Sequence, residues 1–488
     1  MRKNRVVAGI ILAAMTIGMT GCNSGSEGNK NGTEIVIHVL ENDTAKKEGY
    51  LQELLDAFNE AYKDKGIRAV DANMDEYTDL AANGPYGYGP DVLYQANDKL
   101  MTYAEDKHIL PLTIEEFDCY EYTPAEAWDA YRIVVDGNTY YCGVPVNIQE
   151  PMLFYREDKL PENWKTEWDD NANNTPDFFE NWNDLYAYSK YLRDNDTSPN
   201  RDSQYGFMAS MNNLYLVSPF MLSYGSYIFG TNSDGSLNSA DIGFNKKDAA
   251  LGLSALKQMA SQMNKGCIDD TITYTRYEKI ADGTFFCAVS TPDTYGLFIE
   301  KLENDYVLAG ESESNAALKA KENLKMIELP ALMPADGDLT KDSSTMKDSD
   351  WVDTIVMGGV NGYGISSYTK HREACVEFVN FATSYEMINR RMGILGIAPT
   401  RSDVASVSNG TADMIFNSLD SGKIYLMPSI KAVDQIWVPV QTIMADVAKD
   451  SFRKAEGSKE EYTSRADFQK ALDTASKNVY DAIYVLAD

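Results

Sequence analysis

The sequence predicts an α/β protein whose sheets are mostly parallel and covered by helices. Three observations carry this. Glu34-Ile35-Val36-Ile37-His38-Val39-Leu40, a β-branched run, is followed by a helical face and then by a short strand at Ile67 to Asp71. This β-α-β order builds parallel pairs with crossover helices. Val92-Leu93-Tyr94 then adds a third buried strand after the Gly89-Pro90 turn signal. The second half of the chain repeats the alternation.

The elements follow in order. Strand one ends in a polar tip, Glu41-Asn42-Asp43-Thr44. Leu51, Leu54, Leu55, Phe58 and Tyr62 recur at helical spacing, and Gly66 closes that helix. The third strand also ends in a polar tip, Gln95 to Lys99, before a helical run from Leu100. In open α/β sheets, ligands bind beyond the carboxyl ends of strands. These tips are therefore candidate sites, against the plainer reading of Asn97-Asp98 as a helix cap. Gly137-Asn138 marks a hairpin leading into Tyr140 to Val146, and Met152 to Tyr155 follows. Glu162 to Trp182 is polar and rich in Asn and Asp, and reads as a loop insertion. Asp194 to Asn200 is an acidic turn lacking the Gly and terminal Glu of a calcium loop.

Ala249, Leu253, Leu256, Ala260 and Met263 form a helical face in the second half. Ile280 to Ser290 reads as helix end, Gly turn and strand, and Met326 to Pro330 as a strand. Pro334 to Asp350 is a surface excursion. Gly358 to Ser366 is a Gly-studded strand with a helix after it. Phe468, Ala471, Leu472, Ala475, Val479, Ala482 and Ile483 mark a last long amphipathic helix.

With 488 residues the chain is long enough for two or three domains. Its formal net charge of -30 disfavours nucleic acid, which needs clustered Lys and Arg. His38, His108 and His371 are scattered, with no metal or nucleophile spacing, so neither metal nor cofactor is assigned. The cysteines after Cys22 are odd in number and show no C-x-x-C spacing. One bridge, Cys119 to Cys142, is left open, and the others read as buried thiols.

Residues 1–21 read as a targeting segment. Arg2, Lys3 and Arg5 precede an apolar run from Val6 to Met19, too short to span a bilayer. Met19-Thr20-Gly21-Cys22 resembles a bacterial lipobox, which implies that Cys22 is lipidated, palmitate included, and becomes the mature N-terminus. The alternative is a cleaved signal with an incidental Cys. Residues 22–33 read as a flexible tether.

Four stretches carry a family resemblance in order: Asp91 to Ala104, Tyr141 to Leu160, Ile280 to Tyr295, and Gly358 to Thr400. The last joins a Gly-rich strand, the helix Val376 to Phe381 and the return Leu395-Gly396-Ile397-Ala398-Pro399-Thr400. Together they resemble the bacterial extracellular solute-binding proteins of sugar ABC transporters, the maltose-binding-protein family. The resemblance implies a two-lobed, type II periplasmic-binding-protein-like fold with a hinge between α/β lobes. Lobe 1 would be 34–146 plus 327–395, and lobe 2 would be 147–326 plus 396–488. It also implies a lipid-anchored protein on the outer face of the cell membrane. Such a protein is monomeric, not an enzyme, and hands a carbohydrate to the permease subunits of its transporter.

Site residues follow position by position from the same resemblance. Asp98-Lys99 stand where the family has Asp-Arg, and Gln95 replaces an aromatic. Gln149 replaces a cleft glutamate, with Glu150 beside it. Tyr215 matches a second-lobe tyrosine. Asp293 replaces a tryptophan, with Tyr295 two residues on. Trp437 matches a late tryptophan, and Gln441 replaces an arginine. Glu41 and Asp43 join the set from the first strand tip. The chemistry suits a sugar: rings cover its CH face, while carboxylates and amides hold its hydroxyl rim. Pro439 favours a helix start, so Trp437 is expected at a helix entrance, with core packing as the competing reading. Acidic residues and aromatics also cage ammonium groups, so a cation such as a polyamine is the alternative ligand. A secreted glycoside hydrolase is the alternative class, since two carboxylates across a cleft would serve it.

Overall fold

The computed structural model describes residues 34–76, 79–135, 138–233, 236–269, 275–405 and 411–485. The targeting segment, Cys22 and the tether lie outside the described residues. Two sheets organise the chain. The first begins with β1 (Ile35–Leu40), α1 (Tyr50–Tyr62), β2 (Ile67–Asp71), β3 (Val92–Ala96) and α2 (Asn97–Glu105). β1 pairs in parallel with both β2 and β3, as the β-α-β reading requires. α1 buries Leu51, Leu54, Leu55 and Phe58, the residues at helical spacing. Ile37 and Val39 lie with them in one core, while Leu40 and Leu93 face a second core with Leu100 and Tyr131. Alternate β1 residues thus serve opposite faces of the sheet.

β4 (Val144–Gln149) carries the chain toward the second lobe. That lobe contains β5 (Met152–Arg156), α3 (Trp182–Asn195), β6 (Tyr205–Met208), α4 (Ala249–Ala260), β7 (Phe285–Ser290), α5 (Tyr295–Leu308) and β8 (Leu324–Glu328). The sheet order is β8-β5-β7-β6. β7 and β6 run parallel, whereas β5 is antiparallel to both β7 and β8. The sheet is therefore mixed. Glu162 to Trp182 is more than a loop, since Phe178, Phe179 and Trp182 are buried in the second lobe's core.

β9 (Val356–Ile365) brings the chain back. It pairs antiparallel with β3 and with β4, and in parallel with β10 (Ile424–Leu426). The expected return at Ile327 is corrected by packing: Leu329, Met333, Leu339, Val356 and Met357 all belong to the second lobe's core. The crossing comes about thirty residues later, within β9. Residues 372–395 form α6 (Arg372–Ala382) and α7 (Tyr385–Leu395), packed on the first lobe. The C-terminal part also departs from the expected division. β10 joins the edge of the first sheet, and Lys431 pairs with Asp106 at 2.7 Å. Only then do α8 (Trp437–Arg453) and α9 (Arg465–Tyr484) complete the second lobe's core.

The three crossing segments lie side by side. Gly359, Val360 and Asn361 of β9 pair with Gln149, Ile148 and Asn147 of β4. Ile148 donates to the Ala398 carbonyl at 3.0 Å, and Thr400 to the Val146 carbonyl at 3.0 Å. This ribbon joins the two lobes. At Gly362 an added Cβ would stand 2.3 Å from the Val144 carbonyl oxygen, so the Gly-studded sequence lets the strands approach. Cys119 and Cys142 are both free and buried, in different cores, so the open bridge is not made. Burial pushes the Cys119 thiol up to about 11.

Candidate functional site

The cleft lies where strand ends of the first lobe face the second. Contacts join its two sides at the rim. Lys47 pairs with Glu300 of α5 at 2.7 Å, and a Cβ added at Gly296 would lie 3.4 Å from Glu48 Oε1. Asp43 is the first residue of a short helix capped by Asn42. Its amide donates to the Glu76 carboxylate at 2.6 Å. Gln95 Nε2 donates to the Glu76 main-chain carbonyl at 2.6 Å. The two predicted tips therefore meet at Glu76, which sequence reasoning missed because it lies in no recognisable element.

Tyr215 reaches from the second lobe to β4. Its hydroxyl donates to the Gln149 main-chain carbonyl at 3.0 Å, tying the lobe 2 loop to the hinge strand. Burial raises this phenol strongly, and the charges of Glu150, Asp293 and Asp98 add to the effect. Charges from both lobes thus act on one phenol. Asp98, in the first turn of α2, is held above the ordinary carboxylate range by burial, with the Asp434 charge adding. Asp293 is raised by burial too, and its Oδ1 has no hydrogen-bond partner. Glu76 reinforces that shift, while the Arg276 guanidinium opposes it. A ligand offering a donor to Asp293 Oδ1 would meet an unfilled acceptor.

The other predicted residues divide. Glu41, expected at the cleft rim, is instead fully buried in an ion pair with Arg391, at 2.7 and 3.2 Å. Tyr363 also donates to it, and Arg391 lies over the Tyr94 ring at 4.2 Å. Glu41 is a core residue because its partner arrives from α7. Lys99 is exposed, with its ammonium over the Tyr103 ring at 4.8 Å rather than beside Asp98. Glu150 is 2% exposed and lines a cavity of about 350 Å³ with Glu328, Thr354 and Lys423, and its charge also acts on Tyr215. Burial lifts its carboxyl to about 8, with Glu328 adding. Tyr295 and Trp437 are half-buried against the second lobe's core, and Gln441 is half-exposed one turn along α8. Trp437 is the first residue of its helix, as Pro439 implied. Asn97, which reads as a cap from sequence, is a buried pin. It bonds the Met427 carbonyl at 3.0 Å, Ser429 at 3.0 Å and the Val360 amide at 3.3 Å.

Residues 53–417 match the family model described as bacterial extracellular solute-binding protein. The chain belongs to this family. Among curated relatives of this solute-binding protein is a galactooligosaccharide-binding protein of Bacillus subtilis (strain 168). It is 24% identical over 482 residues, covering 96% of this chain and 94% of its own. A maltodextrin-binding protein of the same strain is 27% identical over 245 residues, about half of each chain. Among solved structures, MalX from Streptococcus pneumoniae in complex with maltopentaose superposes with a TM-score of 0.66 at 17% identity. It covers 92% of this chain and 100% of its own. A cyclo/maltodextrin-binding protein complexed with maltotetraose gives 0.65 at 18% identity, covering 94% and 100%. These likenesses establish the two-lobed α/β fold of the solute-binding protein.

Proposed function

We propose that this solute-binding protein captures an oligosaccharide in the interlobe cleft and delivers it to an ABC permease. Asp98, Gln95 and Gln149 hold the hydroxyl rim, Asp293 accepts from it through its free Oδ1, and Tyr215 and Trp437 cover the sugar faces. The observation that carries the reading is the buried Asp293 Oδ1, which has no hydrogen-bond partner. Ligand would bridge the lobes there, and closure about the three-strand hinge would shut the cleft. The names of the curated relatives support a sugar, and the fuller coverage by the galactooligosaccharide-binding protein favours a galactooligosaccharide over a maltodextrin.

Cys22 carries the lipid anchor in this reading, and the chain acts as a monomer without catalysing a reaction. Among the described residues no helix is long and apolar enough to cross a membrane. A polyamine is the second reading, because buried carboxyls held above their usual range would regain charge beside an ammonium. A thermal-shift screen separates the two, since a ligand that binds only the native state raises the midpoint. Galacto-oligosaccharides should raise it most, then maltodextrins. A shift with spermidine and none with sugars would overturn the carbohydrate assignment. Release of shorter sugars from a bound oligosaccharide would overturn the non-catalytic one.

A further inference from the structure

Two carboxyls meet in a cavity that takes none of the residues assigned to the sugar. β5 and β8 pair antiparallel, with Glu328 opposite Met152. Glu150 stands two residues before Met152, so both carboxyls come to one end of this strand pair. The helix Thr411–Asp420 supplies another wall, with Met414 and Ser418. Together they enclose about 350 Å³, within the size range of small-molecule pockets. Among the described residues that line it, Gln95, Asp98, Tyr215, Asp293 and Trp437 are absent.

The cavity holds an acceptor with nothing to accept. Glu150 is almost fully buried, and its Oε1 has no hydrogen-bond partner among the described residues. Such an orphaned buried atom calls for an explanation. The hydroxyls along the walls are turned elsewhere. Ser418 donates to Glu328 at 2.6 Å, Thr354 to the Pro330 carbonyl at 2.5 Å, and Ser421 to the Ser418 carbonyl at 3.3 Å. Lys423, the base in the lining, pairs with Asp353 at 3.4 Å. Burial, with the Glu328 charge adding, lifts the Glu150 carboxyl to about 8. Two carboxyls side by side in an enclosed space call for a cation. A metal is not indicated, since among the described residues no three His, Cys, Asp or Glu side chains stand together to hold one. A primary ammonium group fits better. It has three donors and no acceptor, so it can bridge both carboxyls. Pro151, Leu329, Val356 and Met414 give an apolar surface for the chain attached to it. A dry cavity of about 150 Å³ takes benzene, so this one has room for a chain of about four to six carbons.

We propose that this cavity binds a primary ammonium group on a short aliphatic chain, with Glu150 and Glu328 as its acceptors. The site is separate from the sugar cleft and stands or falls independently of the oligosaccharide reading. The test titrates the full chain with n-butylammonium chloride in a calorimeter, with 1-butanol as the neutral analogue of equal length. One ammonium should bind per chain, also when oligosaccharide is saturating, and 1-butanol should bind at least about tenfold more weakly. Glu150 must lose its proton to bind the cation. Affinity should therefore rise about tenfold per pH unit below pH 8, with one proton released per ligand, read as heat that depends on the buffer. Glu150→Gln should weaken binding at least about tenfold and remove the pH dependence, and Glu328→Gln should weaken it as well. Should either variant fail to fold, the proton count of the wild type decides alone. Absence of saturable heat would overturn the site, as would equal binding of 1-butanol, which marks an apolar void only. So would equal affinity in a folded Glu150→Gln variant. Displacement of the amine by oligosaccharide, or its loss in a folded Asp293→Asn variant, would move it to the sugar cleft and also refute the proposal.

Discussion

Glu41→Gln separates a core role from a ligand role for the residue at the end of β1. In the structure Glu41 is fully buried and Arg391 is 2% exposed. The guanidinium meets both carboxylate oxygens, and its faces lie over Tyr94 at 4.2 Å and Tyr50 at 4.8 Å. The substituted amide would keep one acceptor but remove the counter-charge, leaving Arg391 desolvated and unpaired. Breaking a buried pair from one side costs about 3–5 kcal/mol, and the retained acceptor places this case at about 3 kcal/mol. The loss should appear as a lower urea midpoint and as faster hydrogen exchange at the amides of Ile35–Leu40. Replacing both partners, Glu41→Gln with Arg391→Met, should recover more than half of the loss, because no charge stays buried. Sugar affinity of the folded single variant should match wild type. A loss under about 1 kcal/mol, or a double variant no better than the single, would refute the ion-pair reasoning. Lost affinity with unchanged stability would return Glu41 to the cleft.

Three further outcomes are expected. Trp437→Ala and Tyr215→Ala should each weaken oligosaccharide binding at least about tenfold in calorimetry with the fold intact, as buried aromatic anchors do; unchanged affinity in both would move the site. Glu150 is protonated when folded up to about pH 8 but ionises near its ordinary value of 4.5 when unfolded. The unfolded chain therefore binds fewer protons between those values, and stability falls as pH rises from about 4.5 to 8. Glu150→Gln should flatten that slope and stabilise the protein at pH 7 by on the order of 3 kcal/mol, read from denaturation midpoints; an unchanged slope refutes the assignment. Cys22→Ser should release the protein from the membrane fraction or stall its processing, and a variant that stays membrane-bound and matures normally would end the lipoprotein reading.

The sequence alone determined the local elements. Hydrophobic spacing placed α1 and α9, β-branched runs placed β1 and β3, and Gly283 separated a helix end from β7. These follow from short-range periodicity and turn chemistry, which act within a few residues. The strand tips were also legible, because a strand's carboxyl end is fixed by the strand itself. Tertiary structure decided which tip residues the core takes up. Glu41 and Asp98 read alike, yet Glu41 is claimed by Arg391, 350 residues away in the chain, and Asp98 is not. Gln149 and Glu150 are neighbours, but Gln149 is the last residue of β4 and Glu150 lies beyond it. The main chain of Gln149 anchors Tyr215, while the Glu150 side chain lines a cavity with Glu328. The lobe boundary moved for a similar reason. Residues from Ile327 to Met357 carry no sequence mark of either lobe, and only their packing against the second lobe's core assigns them. Burial and long-range pairing are properties of the closed surface that the whole chain makes, so no local window contains them.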